Sequence, residues 1–185
     1  LPDSRFPPVF PLLIAGSLVV FGSFLPVIFL NIVIASLVPA VVFALGSRFT
    51  SRLKVLVAAS ALAAFEPLMI IFSVLLIPHP LSLVLLLFSC LFFVRLFETQ
   101  TSGDAAFGGL FLGLSVLVRP HGKLLAGFAF FFFIVFAFRK IHMGEGLRRA
   151  FLPAALFFMG FFLILSPWMA RNYSTFGTFD ISSTG

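Results

Sequence analysis

Long apolar runs without charge alternate with short charged stretches along the whole chain. The uncharged runs cover 6–47, 55–65, 67–94, 105–118, 124–138 and 150–170. A helix needs about 20 apolar residues to cross a bilayer, so the first run must contain more than one element. The pattern therefore predicts an all-α, polytopic membrane protein.

Prolines and glycines divide these runs into individual helices. A break near 22–26 separates a short helix at 9–21 from a first span at 25–45. The short helix follows several prolines and suits an interfacial or re-entrant position better than a spanning one. The other predicted spans are 53–72, 80–94, 105–118, 124–138 and 150–169. We thus expect about six transmembrane helices plus an N-terminal interfacial helix.

The expected organisation is a single transmembrane domain over 1–185. It comprises an external loop end and interfacial helix at 1–22, transmembrane helices at 25–170, and the start of an external segment at 171–185. Because the chain opens with Leu1 rather than Met and ends in a polar run, we expect it to be truncated at both ends.

The basic residues predict the orientation of the spans, because cytoplasmic loops carry an excess of Lys and Arg. Two loops are rich in these residues, and four predicted spans, an even number, separate them. Both loops are therefore placed inside, and the loops at 78–80 and 119–123 and the segment from 171 are placed outside. The residues that mark the two inner loops are Arg48, Arg52, Lys54, Arg139, Lys140, Arg148 and Arg149.

Composition supports this interpretation and excludes two other classes of protein. With 61% hydrophobic residues, 10% charged residues and a mean hydropathy of +1.21, the chain lies outside the soluble globular class. The net charge of +6 is spread over short loops rather than gathered on one polar face, so we expect no nucleic-acid partner. A single cysteine, Cys90, cannot form an internal disulfide and has no metal-ligating partner at suitable spacing.

Several polar residues are placed by this topology at the external ends of different spans. A set with two arginines, a lysine and two histidines would attract an anion such as a phosphate or a lipid head group. Taken singly, each basic side chain could equally well extend to the membrane interface. The set consists of His79, Arg119, His121, Lys123, Arg171 and Asn172, and Tyr173 joins Trp168 in a predicted aromatic belt.

Glu66 is the one carboxylate inside a predicted span, and an acid within a membrane is a candidate functional group. Pro67 follows it and is expected to kink the helix. A protonated or arginine-paired structural acid is the alternative. No phosphate-binding glycine loop, metal-ligand pair or nucleophilic serine elbow occurs, and Asp3 and Asp180 are the only other acids expected outside. The chain alone thus offers no complete catalytic set.

Four segments of the chain contain motifs of a known kind. They are Arg5-Phe-Pro-Pro-Val-Phe-Pro-Leu12, the run from Asn31 to Arg52, Gly109-Leu-Phe-Leu-Gly-Leu-Ser-Val-Leu-Val-Arg-Pro-His-Gly122 and Ser166-Pro-Trp-Met-Ala-Arg-Asn-Tyr-Ser-Thr-Phe-Gly177. All four resemble a family of membrane glycosyltransferases with the GT-C fold, which comprises the dolichyl-phosphate-mannose protein mannosyltransferases and the bacterial aminoarabinose transferases. The first is similar to the segment that ends the family's first external loop, the second to the following span, and the last two to further family motifs.

The resemblance implies transfer of a sugar from a polyprenyl-phosphate donor to a lipid or protein acceptor at the external or lumenal face. Arg119 and Arg171 would bind the donor phosphate, and Glu66, His79, His121, Lys123, Asn172 and Tyr173 would line the site. The family's acidic base lies upstream of Leu1, and Asp3 is a poor substitute. His79 stands where the family has an acid, in a Thr-Glu-Pro that aligns with Pro78-His79-Pro80. A divalent cation is a candidate cofactor, although no metal ligands are identified.

Two other functions stay open at this point. A transporter or flippase of an anionic amphiphile would use Glu66 and the prolines in broken helices around a midplane site. A non-catalytic scaffold subunit is the third possibility. In each case the chain is a multi-pass integral membrane protein among membrane lipids, and a bacterial or archaeal plasma membrane is favoured over the endoplasmic reticulum.

Overall fold

The computed structural model describes residues 7–144 and 146–179, and within them the chain is helical with short connections and no strand. Asp3, Arg5 and Asp180 lie outside the described residues. The all-α fold class predicted from the sequence is confirmed. The helices are α1 Val9–Phe21, α2 Leu25–Gly46, α3 Leu53–Ala64, α4 Pro67–Val74, α5 His79–Thr99, α6 Ser102–Val118, α7 Gly122–His142 and α8 Leu147–Phe176.

Four helices are long and apolar enough to cross a membrane by themselves, namely α2, α5, α7 and α8. The pair α3 and α4 adds a fifth candidate if it forms one broken span. Helix α6 has 17 residues, or about 26 Å at 1.5 Å per residue, slightly less than the hydrocarbon thickness. The structure thus has four or five candidate spans where the sequence predicted about six. Large apolar side chains are widely exposed on these helices, as expected of an integral membrane protein.

The predicted span at 53–72 is divided into α3 and α4, which are bent by 45° at the position where Pro67 was expected to kink the helix. Pro67 has no N–H to continue the hydrogen-bond ladder, and its ring disfavours a helical conformation at the preceding residue. Glu66 accordingly has an extended backbone, with φ −67° and ψ 113°. Its carboxylate accepts a hydrogen bond from the Met69 backbone N–H at 2.5 Å and so caps the first turn of α4.

The last two helices extend beyond their predicted limits of 138 and 169. Helix α7 continues through basic residues to His142, where cations suit the negative end of the helix dipole. Helix α8 has 30 residues, about 45 Å, and so exceeds the hydrocarbon core. Arg171 and its neighbours therefore belong to the last turns of α8.

Helices α6 and α8 run parallel and make the closest contact of the bundle. Gly109 and Gly113, one turn apart on α6, lie against the backbone at Phe157 and Phe161 of α8, and Gly160 lies against Ala106 of α6. Small residues at such positions let two membrane helices approach closely. The largest buried apolar cluster surrounds this contact and includes residues of α5, α6, α7 and α8.

Helix α5 runs antiparallel to α6, so charged residues lie beside the two helices at both ends of the bundle. At one end, His79 begins α5 beside Arg119, which ends α6. At the other end, Arg48 pairs with Glu98 at 2.9 Å, and Arg95 with Asp104 at 3.4 Å. This division is the one expected from the basic loops, and which end faces the cytoplasm stays a prediction.

Candidate functional site

The candidate site lies where the connection between α4 and α5 meets the connection between α6 and α7. Arg119 precedes Pro120, a position at which helical backbone is disfavoured, and it is extended with φ −149° and ψ 134°. Helix α6 therefore ends at Val118, and its last turn closes with a hydrogen bond from the Arg119 N–H to the Ser115 carbonyl. This ending places the Arg119 guanidinium over the first turn of α5.

Arg119 and His79 are in direct contact, through Nη1 of the arginine and Nδ1 of the histidine. A guanidinium has only donors, so Nδ1 of His79 is the acceptor and the proton of the neutral imidazole is on Nε2. The imidazole also packs edge-to-face against the Phe72 ring, with 5.0 Å between the centroids. The histidine is thus held by two helices and orients the arginine.

Two serines hold α5 and α6 together just below this contact. The Ser115 hydroxyl donates to the Ser82 carbonyl at 3.0 Å, and the two hydroxyl oxygens are 3.2 Å apart. Ser115 is fully buried. Because buried hydroxyls need partners, this pair fixes the relative height of the two helix ends that carry His79 and Arg119.

A cleft of about 620 Å³ opens beside the contact between Arg119 and His79. Most of its wall is apolar and comes from α1 and from the segment between α4 and α5. His79, Arg119 and His121 contribute the polar side chains. The lining residues are Pro7, Phe10, Pro11, Ile14, Phe72, Leu76, Ile77, Pro78, His79, Val118, Arg119, Pro120 and His121. Two of the sequence motifs, at 5–12 and 109–122, therefore contribute to the same cleft.

No carboxylate lines this cleft among the described residues. Nor does any group of three His, Cys, Asp or Glu side chains converge as metal ligands within the part of the chain that the structure describes. An arginine in such a setting attracts an anion. The cleft therefore combines one cationic, donor-rich corner with a long apolar wall.

Arg171 lies on α8 and does not line the cleft. Its guanidinium donates to Oδ1 of Asn172 at 3.0 Å and stacks over the Trp168 ring, 4.5 Å from the centroid. Asn172 is fully buried, whereas Tyr173 is exposed and stacks on Phe179 with 4.3 Å between centroids. The motif at 166–177 thus builds a second cationic group at the end of the helix that packs parallel to α6.

The other predicted site residues are less close to the cleft. Lys123 is exposed in the first turn of α7, and Glu66 caps α4 at its far end from His79. The structure therefore brings together His79, Arg119 and His121, and leaves Glu66, Lys123, Arg171, Asn172 and Tyr173 outside the cleft lining.

Two structural roles went unrecognised in the sequence interpretation. Asn31 is buried on α2, and its Nδ2 donates to the carbonyls of Leu75 and Ile77 at 3.2 and 3.1 Å. It thereby supports the non-helical segment that leads to His79. The pair Gly109 and Gly113 provides the contact with α8, and its spacing of four within an apolar run was a readable signal for helix packing.

A family model described as dolichyl-phosphate-mannose-protein mannosyltransferase matches residues 5–170 of this chain. No curated protein and no solved structure matches the chain significantly.

Proposed function

Because this chain belongs to the dolichyl-phosphate-mannose-protein mannosyltransferase family, we propose that it handles a lipid-linked sugar donor at its candidate cleft. Family membership supports a membrane glycosyltransferase of the GT-C type. In the proposed reaction a sugar leaves a polyprenyl-phosphate carrier and joins a lipid or protein acceptor at the external or lumenal face.

The observation that carries this proposal is the cleft that joins Arg119 to a long apolar wall. A polyprenyl-phosphate sugar has an anionic phosphate next to a long hydrocarbon chain, and the cleft offers a surface for each part. The guanidinium provides paired donors for phosphate oxygens. The donor class is inferred from this match together with the family.

Arg119 would act on the leaving group of the reaction. Transfer breaks the bond between the anomeric carbon and the phosphate oxygen, so negative charge develops on the polyprenyl phosphate. A pre-oriented donor aimed at this charge stabilises the transition state more than the ground state. His79 would act as a positioning residue, because its Nδ1 holds the guanidinium in place.

Arg171 would provide a second cation for the same phosphate. It stands on α8, whose parallel contact with α6 keeps its end near the end that carries Arg119. His121 lines the cleft directly, and Lys123, Asn172 and Tyr173 are proposed to surround the bound donor or acceptor. No carboxylate lines the cleft among the described residues, so we assign the base that deprotonates the acceptor hydroxyl to none of them.

The test is sugar transfer by the full-length enzyme in membranes, with a radiolabelled polyprenyl-phosphate sugar. Arg119→Ala is expected to lower kcat by about 10²- to 10³-fold, the usual effect of removing one transition-state donor. Arg119→Lys keeps the charge but loses the paired donors, so it should retain intermediate activity. Arg52→Ala, at the opposite end of the bundle, is the matched control and should leave kcat unchanged. Full activity in a correctly folded Arg119→Ala enzyme contradicts the proposal.

The broken span of α3 and α4 favours a second candidate, a transporter or flippase of an anionic amphiphile. Broken helices often surround a midplane site in transporters, and Glu66 stands at this break. Against this candidate, the Glu66 carboxylate caps α4 and does not line the cleft at Arg119. Reconstituted vesicles separate the two functions: a transporter moves its lipid substrate without sugar transfer, and Glu66→Gln abolishes that movement.

A further inference from the structure

The contact between His79 and Arg119 depends on the protonation state of the imidazole. A guanidinium has hydrogen-bond donors and no acceptor, so the contact requires a free lone pair on Nδ1 of His79. The neutral imidazole provides this lone pair, whereas the imidazolium carries a proton on both ring nitrogens. Protonation therefore replaces the hydrogen bond with two positively charged donors that face each other.

The cleft offers little that could replace the neutral histidine as an acceptor. Rotation of the ring does not help, because both nitrogens of an imidazolium are donors. Among the described lining residues there is no carboxylate, and only His121, which is exposed, has another side-chain acceptor. The Arg119 guanidinium is therefore expected to leave its position over the first turn of α5 once His79 is protonated.

Few charged groups face His79 from the surrounding helices. The neighbouring helices α1, α2 and α4 contain no Asp, Glu, Lys, Arg or His, and the other charged residues of α5 and α6 lie at the opposite end of the bundle. The described groups that act electrostatically on the imidazole are Arg119, His121 and Glu66. Asp3 and Arg5 lie outside the described residues. Such charges set the pH at which His79 is protonated, but they do not change the number of donors on an imidazolium.

We infer that His79 makes the position of Arg119 depend on pH: the neutral imidazole holds the guanidinium in the cleft, and protonation of the imidazole releases it. This inference rests on the function proposed above and adds its regulation. An imidazole ordinarily changes charge between about pH 5 and 8. The phosphodiester of a polyprenyl-phosphate sugar stays anionic over this range. Sugar transfer should therefore decline in acid because of the enzyme and not because of its donor.

Substitutions at position 79 separate the acceptor from the charge. His79→Asn keeps an acceptor oxygen near the position of Nδ1 and cannot be protonated, so it should retain transfer in acid. His79→Lys provides a cation with donors only and should transfer poorly throughout the range. His142→Asn is the matched control, because it removes an imidazole in the last turn of α7, at the opposite end of the bundle from Arg119.

The first measurement is kcat of the full-length enzyme in membranes between about pH 5 and 8, with a saturating radiolabelled donor. In the unmodified enzyme kcat should fall by about tenfold per pH unit below the transition, the slope of a single proton, until it reaches the level of Arg119→Ala. The loss in acid should be at least about tenfold smaller in His79→Asn. The control His142→Asn should lose activity in parallel with the unmodified enzyme.

The second measurement observes the imidazole directly and is independent of sugar transfer. Solid-state NMR of the full-length protein in bilayers, with ¹⁵N-labelled histidine and arginine, should show an unprotonated Nδ1 near neutral pH and a cross-peak to the Arg119 guanidinium. Acid should protonate Nδ1 and remove the cross-peak. The signals of His79 are assigned by their absence in His79→Asn. A protein that shows this transition without sugar transfer supports the inference about Arg119 and contradicts only the proposed function.

Three results are incompatible with the inference. A cross-peak that persists after protonation of His79 means that Arg119 is not released. An equal loss of kcat in acid in His79→Asn and the unmodified enzyme means that another titrating group causes it. If His121→Asn preserves transfer in acid and His79→Asn does not, the pH dependence belongs to the other histidine of the cleft. Thermal unfolding in detergent verifies that the variants are folded, and His79→Gln replaces His79→Asn if the latter is not.

Discussion

The substitution Gly109→Ala tests whether the α6 and α8 contact holds the candidate site together. A Cβ atom built at Gly109 would lie 1.8 Å from the Phe157 carbonyl oxygen, about 1.6 Å short of the 3.4 Å at which ordinary contact begins. The next atoms, Phe157 C at 2.8 Å and Phe161 N at 3.0 Å, also belong to the backbone. No side-chain rotation can relieve this overlap, so the helices must separate.

A separation of this size would be costly and would spread along the interface. Overpacking of a well-packed core typically costs about 1–3 kcal/mol, and here it also opens the buried cluster around Phe157 and Leu165. We expect Gly109→Ala to lower the free energy of unfolding by about that amount. Sugar transfer should fall as well, because Arg119 and Arg171 stand beyond this contact on the two helices.

The assay is unfolding of the full-length protein in mixed micelles, followed by the transfer assay on the folded fraction. Gly160→Ala, whose Cβ would lie 2.5 Å from the Ala106 carbonyl oxygen, should destabilise in the same direction. Gly127→Ala is the matched control on α7, since its Cβ would meet nothing within 4 Å, and alanine there should be neutral or slightly stabilising. If Gly109→Ala unfolds at the same detergent composition as Gly127→Ala, the contact does not have the proposed role.

Two further substitutions test the elements that lead to His79. Glu66→Ala removes the cap on the Met69 N–H and should lower the free energy of unfolding by about 1 kcal/mol in the same assay. Sugar transfer should persist in the folded variant, because the carboxylate serves as a helix cap. Complete loss of transfer would instead assign Glu66 a functional role. Asn31→Leu leaves two carbonyls of the segment 75–77 without their side-chain donor. It should lower the free energy of unfolding by about 1–3 kcal/mol and speed backbone hydrogen exchange in that segment. Ser36→Ala, an exposed polar change on the same helix, is its control, and equal exchange rates in both variants would refute the role of Asn31.

Helix positions were largely predictable because charges and prolines interrupt a very apolar chain. The short helix at 9–21 and the start of α2 agree with the structure, since Pro26 and Gly22 leave few alternatives. The ends of α7 and α8 were misplaced because a charge was treated as a limit. Helices continue through charged residues once they leave the hydrocarbon layer, as α7 does to His142.

The site was predictable as a set of helix ends and not as a set of contacts. The predicted topology alone placed His79 and Arg119 at the same membrane surface, because His79 precedes the span at 80–94 and Arg119 follows the span at 105–118. The direct contact between them depends on how α5 and α6 rotate about their axes, and this rotation is fixed by Ser82 and Ser115. Sequence patterns of such apolar helices contain little rotational information, since lipid-facing and buried positions are both apolar.

The glycine contact between the parallel helices α6 and α8 also sets the positions of Arg119 and Arg171 along the two helices. Arg119 lies ten residues beyond Gly109, and Arg171 lies eleven residues beyond Gly160, which correspond to about 15 and 16.5 Å of helix rise. One inserted residue in either interval would shift the arginine by about 1.5 Å and rotate it by about 100° around the helix axis. Homologous sequences should therefore tolerate changes of residue type between these glycines and arginines far better than changes of length.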